Sequence, residues 1–252
     1  MRPPREVPLL KVRGVSKHYG GVTAISGLSF DLARGEVLGV IGPNGAGKTT
    51  LLNLITGYSA PNEGSILLEG QELRGLTPYQ ICRLGVARTF QVVRPFEEMT
   101  VHDNVMTGAL FASDQWISTQ DASKRAEEAL DMVGLLHKRQ ALGSDLTIGE
   151  KKKLELARSL ATKSKLLLLD EVMSGLTGSE IDAVMDVVER VADSGVTILM
   201  IEHLVGVILA LSDRVLVLNF GRELFQGIPE EVIAHPDVIE SYLGQPLERL
   251  EN

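Results

Sequence analysis

An apolar run, a glycine-rich loop and a helical pattern follow one another early in the chain, and this order constrains the fold more than any other feature. Residues 37–41 are all apolar or glycine, which predicts a fully buried strand. Residues 42–49 fit the pattern G-x-x-x-x-G-K-[ST], and residues 49–55 carry apolar side chains at helical spacing. A strand, this loop and a helix in series predict a phosphate-binding loop in an α/β fold.

Each residue type in the loop has a chemical reason. Glycines let backbone N–H groups point inward at phosphate oxygens, where a Cβ atom would obstruct the approach. Lys48, near the helix start, is expected to reach the β- and γ-phosphates, and the Thr49 hydroxyl to ligate Mg²⁺. The alternative is a glycine-rich turn without a ligand, and the strand–loop–helix context argues against it. The residues predicted to bind a nucleotide here are Gly42, Pro43, Asn44, Gly45, Ala46, Gly47, Lys48, Thr49 and Thr50.

Two carboxylates follow a second apolar run, the four leucines at 166–169. In a phosphate-loop fold, the carboxyl end of such a strand is expected beside the loop. Asp170 suits coordination of Mg²⁺ through water, because Mg²⁺ keeps much of its hydration shell. Glu171 is the candidate base that orients and deprotonates the attacking water. A small-molecule phosphotransferase, the alternative, would not need such a base, so Glu171 favours hydrolysis.

A second anion site is predicted at the start of a later helix. Thr147 and Glu150 have the spacing of a capping box, with Thr147 as the N-cap residue. A helix that begins in this way presents free N–H groups and the positive end of its dipole. The three lysines at 151–153 that follow are expected to form a solvated helix face.

The sequence around this helix start resembles the L-S-G-G-Q signature of ABC ATPases, and the resemblance covers nearly the whole chain. It is carried by Leu146, Thr147, Ile148, Gly149 and Glu150. In that family, the signature helix of one subunit faces the γ-phosphate that is held by the phosphate loop of the other. The resemblance therefore implies ATP and Mg²⁺ as ligands, a dimer of ATPase subunits, and nucleotide contacts for Thr147, Gly149 and Glu150.

The same resemblance implies roles for single residues. Tyr19 corresponds to the aromatic residue that stacks on adenine, and Gln91 to the glutamine that contacts Mg²⁺ and the attacking water. His203 corresponds to the histidine that contacts the γ-phosphate. The implied catalytic residues are Glu171, His203 and Gln91, and the implied metal ligands are Thr49, Gln91 and Asp170.

The chain departs from the family pattern at several positions. In the signature, Thr147 replaces serine, Ile148 replaces glycine and Glu150 replaces glutamine. A threonine hydroxyl can accept a bond from the Glu150 N–H and still donate to a phosphate oxygen. Residues 174–177 resemble the loop that crosses to the partner subunit, with Thr177 where the family usually has Asp or Asn. We expect these departures to leave the chemistry intact and to affect the strength of the dimer contacts.

Two further stretches narrow the resemblance. Residues 86–96 and 99–105 resemble the ATPase subunits of branched-chain amino-acid importers, in which R-T-F-Q and M-T-V-x-x-N-V recur, and residues 239–244 resemble the ending of the same group. Those importers combine two ATPase subunits with two membrane subunits and an extracytoplasmic solute-binding protein. The resemblance implies import of amino acids or related small polar solutes, from a peripheral position on the cytoplasmic face of the cell membrane. Our candidates for contact with the membrane subunits are Pro95, Phe96 and Met99.

The expected architecture is a single ABC ATPase domain over residues 1–252. Its fold class is α/β, a phosphate-loop NTPase (RecA-like) core with an N-terminal antiparallel β subdomain and an inserted helical subdomain. Residues 1–85 and 160–252 are assigned to the core with its β subdomain, and residues 86–159 to the helical subdomain that carries the signature. Secondary structure between 77 and 160 is expected to be mostly helical.

Composition limits the other interpretations. A formal net charge of -8 gives no basic surface for nucleic acid, and the single cysteine, Cys82, allows no intrachain disulfide. No segment offers the roughly 20 uninterrupted apolar residues of a spanning helix, and residues 1–10 lack the apolar content of a secretory signal. We therefore expect any membrane association to go through a partner. The remaining alternatives are an exporter ATPase, such as a lipopolysaccharide-type one, and a soluble ABC ATPase of translation or DNA repair.

Overall fold

The computed structural model of the chain describes residues 8–111 and 117–243, so residues 1–7 and Gly244 of the sequence predictions lie outside it. The chain divides into two compact units. The first unit contains residues 1–76 and 199–252, and the second unit contains residues 77–198.

The strands, in chain order, are β1 (Pro8–Tyr19), β2 (Val22–Ala33), β3 (Val37–Ile41), β4 (Glu63–Leu68), β5 (Gln71–Glu72), β6 (Val86–Arg88), β7 (Leu166–Asp170), β8 (Thr197–Ile201), β9 (Arg214–Asn219) and β10 (Arg222–Gly227). The α-helices are α1 (Lys48–Ile55), α2 (Pro78–Arg83), α3 (Val101–Phe111), α4 (Thr119–Met132), α5 (Ile148–Ala161), α6 (Gly178–Asp193), α7 (Val205–Leu211), α8 (Pro229–Ala234) and α9 (Pro236–Val238). A π-helical turn at Ile239–Leu243 follows α9.

The first unit contains an antiparallel sheet in the order β2-β1-β4-β5. Strands β1 and β2 pair with Val12 opposite Phe30 and Val15 opposite Leu28. Leu28, Phe30 and Leu32 share one face of β2, as their alternation predicts, and all three are buried. The N-terminal β subdomain that the sequence predicted is confirmed by this sheet.

The first unit also holds the strand that leads into the glycine-rich loop. All five residues of β3 are buried, and β3 pairs in parallel with β9, with Val40 opposite Leu216. Strands β9 and β10 form a hairpin around residues 219–221. The strand order in this unit is β10-β9-β3-β8, and most of β8 lies in this unit. The loop at 42–47 joins β3 to α1, so the predicted strand, loop and helix are all present.

The second unit combines a parallel strand pair with a group of helices. Strands β6 and β7 pair with Val86 opposite Leu166, and helices α3, α4 and α5 pack together. Ala126, Leu130 and Val133, spaced at helical intervals in and just after α4, are all buried. Strand β6 lies inside the stretch from 77 to 160 that we expected to be mostly helical. Its three residues are too few to show a period.

No helix in residues 8–111 and 117–243 is both long and apolar enough to cross a membrane.

Candidate functional site

The glycine-rich loop of the first unit curls over the start of α1. Lys48 is the first residue of α1 and is only 6% exposed. Its Nζ atom donates hydrogen bonds to the carbonyl oxygens of Gly42, at 2.7 Å, and Pro43, at 3.1 Å. The ammonium group therefore lies across the loop, where a cation can balance the charge of a phosphate that the loop holds.

Two glycines in the loop are required by close backbone approaches. Gly42 has a φ of 150°, and a Cβ atom there would come 2.1 Å from the carbonyl oxygen of Leu218. Gly47 has a φ of 104°, and a Cβ atom there would come 2.6 Å from the carbonyl oxygen of Ala24. The loop is thus packed directly against the ends of β9 and β2, and side chains at these two positions would displace it.

Three other residues of the first unit, Tyr19, His203 and Tyr242, are candidates for the site or contact the loop. Tyr19 ends β1 with its ring 48% exposed, and the Nζ atom of Lys17 lies 4.9 Å from the ring centroid. His203 is exposed and follows the end of β8. Tyr242 was not predicted as a site residue. Burial raises the pKa of its phenol, and a hydrogen bond with the backbone of Gly42 acts in the opposite direction. No sequence pattern links positions 42 and 242.

In the second unit, the carboxylate of Asp170 is buried in an ion pair. Asp170 ends β7, and its Oδ2 atom lies 2.7 Å from an Nη atom of Arg88, the last residue of β6. The two side chains are only 9% and 7% exposed. A carboxylate this far from water needs a charged or hydrogen-bonding partner, and the parallel pairing of β6 with β7 brings that partner beside it.

Glu171 follows directly and contacts the predicted glutamine. The Nε2 atom of Gln91 donates a hydrogen bond to Oε2 of Glu171 at 2.6 Å. Glu171 has a φ of 52°, a left-handed backbone conformation that is uncommon for a residue with a side chain. The structure therefore brings together three predicted residues of the second unit, namely Asp170, Glu171 and Gln91.

The segment that carries Gln91 is fixed to β7 by further hydrogen bonds. The backbone N–H of Thr89 donates to the carbonyl oxygen of Leu168 at 3.0 Å. The Thr89 hydroxyl, in turn, accepts a bond from the backbone N–H of Asp170 at 3.4 Å. Thr89 is 1% exposed. The R-T-F-Q run at 88–91 thus lies alongside the end of β7 and is hydrogen-bonded to it.

Helix α5 holds the same segment from another direction. Lys152 donates from Nζ to the carbonyl oxygen of Gln91 at 2.8 Å, and Glu155 accepts the backbone N–H of Phe90 at 2.8 Å. Arg158 donates to the carbonyl oxygen of Arg94 at 3.2 Å. A spacing of three residues places the contacting residues of α5 on neighbouring turns of one face. We call the three side chains at 152, 155 and 158 the α5 clasp.

Two residues of the α5 clasp, Lys152 and Glu155, are more buried than a surface helix would make them. Lys152 is 4% exposed, so the prediction of a solvated face for residues 151–153 is wrong for this residue. Burial raises the pKa of the Glu155 carboxyl, although the Phe90 N–H and the charges of Arg158 and Lys152 act in the opposite direction. Sequence alone could not show this, because a lysine on an amphipathic helix is usually exposed.

The start of α5 has the predicted capping box. The backbone N–H of Glu150 donates to the Thr147 hydroxyl at 3.3 Å, and the backbone N–H of Thr147 donates to the Glu150 carboxylate at 3.1 Å. Ile148, which replaces glycine in the signature, is 55% exposed. Gly149 is buried, and a Cβ atom there would come 3.1 Å from Oε1 of Glu180. The helix can therefore accept isoleucine at 148, whereas a side chain at 149 would push the Glu180 side chain aside by a few tenths of an ångström.

Burial acts to raise the pKa of Glu150, but its partners outweigh burial and lower that pKa. They are the Lys138 ammonium, 2.6 Å away, and the Thr147 cap. The carboxylate is thus held in its charged form at the N-terminus of α5, where the helix dipole also favours a negative charge.

These features define the class of protein. The first unit has a phosphate-binding loop between a buried parallel strand and a helix, and the second unit has adjacent carboxylates at the end of another buried strand. Both features, the loop and the adjacent carboxylates, are typical of phosphate-loop NTPases.

Comparison with known proteins gives the family. Residues 25–174 match the family described as ABC transporter. The chain belongs to this family and is an ATP-binding, ATPase-type subunit of an ABC transporter. The fold class and the family resemblance predicted from the sequence are thereby confirmed.

Two curated relatives and one solved structure are informative. The chain is 38% identical to the high-affinity branched-chain amino acid transport ATP-binding protein LivG of Escherichia coli (strain K12), over 94% of this chain and 98% of that one. It is 36% identical to the corresponding protein BraF of Pseudomonas aeruginosa, with the same coverage of 94% and 98%. The ADP conformation of MJ1267, an ATP-binding cassette of an ABC transporter, superposes with a TM-score of 0.86 at 28% identity, over 95% of this chain and 100% of that one.

The capping box gives a first testable prediction. Thr147→Ala removes the hydroxyl that accepts the Glu150 N–H, so the free energy of unfolding should fall by about 1 kcal/mol. Thr147→Ser keeps the hydroxyl and should change that free energy by no more than a few tenths of a kcal/mol. Urea unfolding of both variants checks this. Equal stability of the alanine and serine variants would show that the cap contributes nothing.

Proposed function

We propose that the chain hydrolyses Mg-ATP with Glu171 as the base, as one half of a nucleotide-sandwiching dimer that drives import of branched-chain amino acids or related small polar solutes. The observation that carries the hydrolytic part is the 2.6 Å contact between the Gln91 amide and the Glu171 carboxylate. It pairs a candidate base with a neutral donor that can also bind water or a metal through its oxygen.

The nucleotide-binding part rests on the loop of the first unit. Backbone N–H groups at 42–49 and the Lys48 ammonium bind the phosphates, and the Tyr19 ring, half exposed, stacks on adenine. His203, exposed after β8, contacts the γ-phosphate. Thr49, Gln91 and Asp170 supply hydroxyl, amide and carboxylate oxygens, which are the ligands that Mg²⁺ prefers. When bound, this cation neutralises charge on the β- and γ-phosphates.

The proton transfer requires a change at Gln91. Glu171 has to accept a proton from the attacking water, so that water must share the carboxylate with the Gln91 amide or replace the amide. Gln91 is exposed, whereas its backbone is fixed to Lys152. The side chain can therefore turn from the carboxylate to the water while the backbone stays in place.

The dimer part rests on the start of α5. In its first turn, the Glu150 N–H donates to the Thr147 hydroxyl and the Gly149 N–H donates to the Glu180 carboxylate. The positive end of the helix dipole attracts the negative charge of a partner's γ-phosphate, which contacts Thr147, Gly149 and Glu150 when it takes the place of these acceptors. Binding that exists only in the closed dimer stabilises it by linkage. Loss of the bridging phosphate on hydrolysis then favours reopening.

The transport part rests on the relatives and on one exposed aromatic residue. Phe96 is 46% exposed, and its backbone is held at both polar groups by the buried side chain of Asn104, at 2.8 Å and 2.9 Å. A rigidly presented apolar side chain suits a contact with another protein. We assign Pro95, Phe96 and Met99 to contact with the membrane subunits, which places the chain peripherally on the cytoplasmic face of the membrane. Those membrane subunits work with an extracytoplasmic solute-binding protein.

The base is tested by Glu171→Gln. Because an amide cannot accept the proton from water, hydrolysis by the purified chain should fall at least about 100-fold while ATP binding is retained. With Mg-ATP, size-exclusion chromatography should then show more dimer than for the wild type. Glu128→Gln, an exposed change on α4, is the matched control and should behave as the wild type. Normal turnover of the Glu171 variant would place the base elsewhere.

The membrane contact is tested by Phe96→Asp in the assembled transporter. A charge in an apolar contact should abolish solute uptake by membrane vesicles, while ATP hydrolysis by the isolated chain stays within about twofold of the wild type. Ile228→Asp is the control, because Ile228 is also 46% exposed but lies in the other unit. Uptake that survives Phe96→Asp would contradict the assignment.

A further inference from the structure

Arg88 has a position that the hydrolytic mechanism above does not use. Its guanidinium lies 2.7 Å from the Asp170 carboxylate, and both side chains are less than a tenth exposed. The guanidinium carbon also lies 5.2 Å from the ring centroid of Phe90, the neighbour of Gln91. A permanent positive charge is therefore fixed against the carboxylate to which the proposed function assigns Mg²⁺.

We propose that Arg88 is a positioning residue that serves as the resident counter-cation of Asp170 and thereby sets how much Mg²⁺ the nucleotide site requires. This inference rests on the proposed function, because it takes Asp170 as the carboxylate that holds the metal.

The charge balance of the buried pair gives the first argument. Before the metal binds, Arg88 compensates a carboxylate that is almost out of contact with water, so the protein avoids an unpaired buried charge. An arginine keeps its charge at all relevant pH values and, unlike a metal ion, cannot leave. The ion pair thereby orients the Asp170 carboxylate.

Repulsion between like charges gives the second argument. A divalent cation held by Asp170 would be repelled by the Arg88 guanidinium, which lies 2.7 Å from the same carboxylate, and the low exposure of the pair leaves little water to screen the repulsion. Arg88 therefore weakens binding of the cation relative to the same site without that charge. Weaker binding favours release of the metal with the products of hydrolysis.

The connection to Gln91 gives the third argument. Arg88, Thr89 and Phe90 are consecutive, and the pair at 88 and 170, the Thr89 contacts with β7 and the clasp contact at Phe90 fix this run. Positioning of Asp170 by Arg88 is thus coupled to the backbone of the residue that contacts Glu171. Arg88, which binds Asp170, thus helps to position Gln91, which binds Glu171.

The test is the Mg²⁺ requirement of nucleotide binding, measured with a fluorescent ATP analogue on the full chain. In Arg88→Gln, the Mg²⁺ concentration for half-maximal binding should fall about tenfold, because the competing charge is gone. Arg88→Lys keeps the charge and should stay within about twofold of the wild type. Arg83→Gln, which removes a charge from α2 in the same unit, is a second control and should also stay within about twofold.

Thermal unfolding gives a second readout that does not depend on activity. Arg88→Gln leaves Asp170 without its counter-charge, so the variant should melt at a lower temperature than the wild type in ATP with EDTA. Mg-ATP should raise its Tm by more than it raises that of the wild type. An equal loss of Tm in both conditions, with an unchanged Mg²⁺ requirement, would mean that Arg88 is only a structural anchor and would overturn the proposal.

Two outcomes are separated by design. If the wild type shows no Mg²⁺-dependent ATP binding, both the proposed function and this inference fail; if it does and Arg88→Gln does not need less Mg²⁺, the inference alone fails. If Arg88→Gln does not fold, a double variant that carries both Arg88→Gln and Asp170→Asn replaces it. This double variant is compared with Asp170→Asn alone. The double variant should then need less Mg²⁺ than the single one, and an equal requirement overturns the proposal.

Discussion

Two adjacent carboxylates at the end of a fully buried strand impose the constraint on which the second unit depends. All five residues of β7 are buried, and the strand delivers Asp170 and Glu171 side by side. The buried Asp170 carboxylate needs a donor or a cation, because burial without one is costly, and Arg88 meets that need. The half-buried Glu171 carboxylate accepts a hydrogen bond from Gln91, and Arg88 and Gln91 belong to one four-residue run. Satisfying the carboxylates therefore fixes the path of the chain from 88 to 91.

The α5 clasp extends this arrangement to the signature helix. Lys152 and Glu155 bind the backbone on the two sides of the peptide that joins Phe90 to Gln91. The start of α5 is the proposed contact with a partner's nucleotide. The same helix therefore carries that proposed contact and the side chains that hold the backbone of Gln91, the residue that donates to Glu171.

Sequence patterns predicted the parts of the site that rest on local physics. Buried strands at 37–41 and 166–169, the phosphate loop and the capping box at Thr147 all follow from short-range rules on periodicity, glycine conformation and helix capping. The family resemblance includes the R-T-F-Q run, but no sequence pattern explains its arginine physically. That reason is the pairing with Asp170, which lies 82 positions away in the chain.

What sequence could not predict depends on tertiary contact. Strand β6 has three residues and shows no period, so only its pairing with β7 defines it. Lysine is usually a surface residue, but Lys152 is buried and its Nζ atom donates to two backbone carbonyl oxygens of other segments. Asn104 looks like an ordinary polar residue of a helix, yet it holds the backbone of Phe96. Each of these features depends on a contact with another segment of the chain and not on a local sequence pattern.

Hydrogen bonds with α5 and β7 hold residues 88–91 in place. Amide hydrogen exchange in the nucleotide-free chain tests it most directly, because Thr89 and Phe90 donate to different elements, Leu168 of β7 and Glu155 of α5. Both amides should exchange at least about 100-fold more slowly than in an unstructured peptide, and Glu155→Ala should release Phe90 but not Thr89. Exchange of the Phe90 amide at the unstructured rate in the wild type would contradict the account.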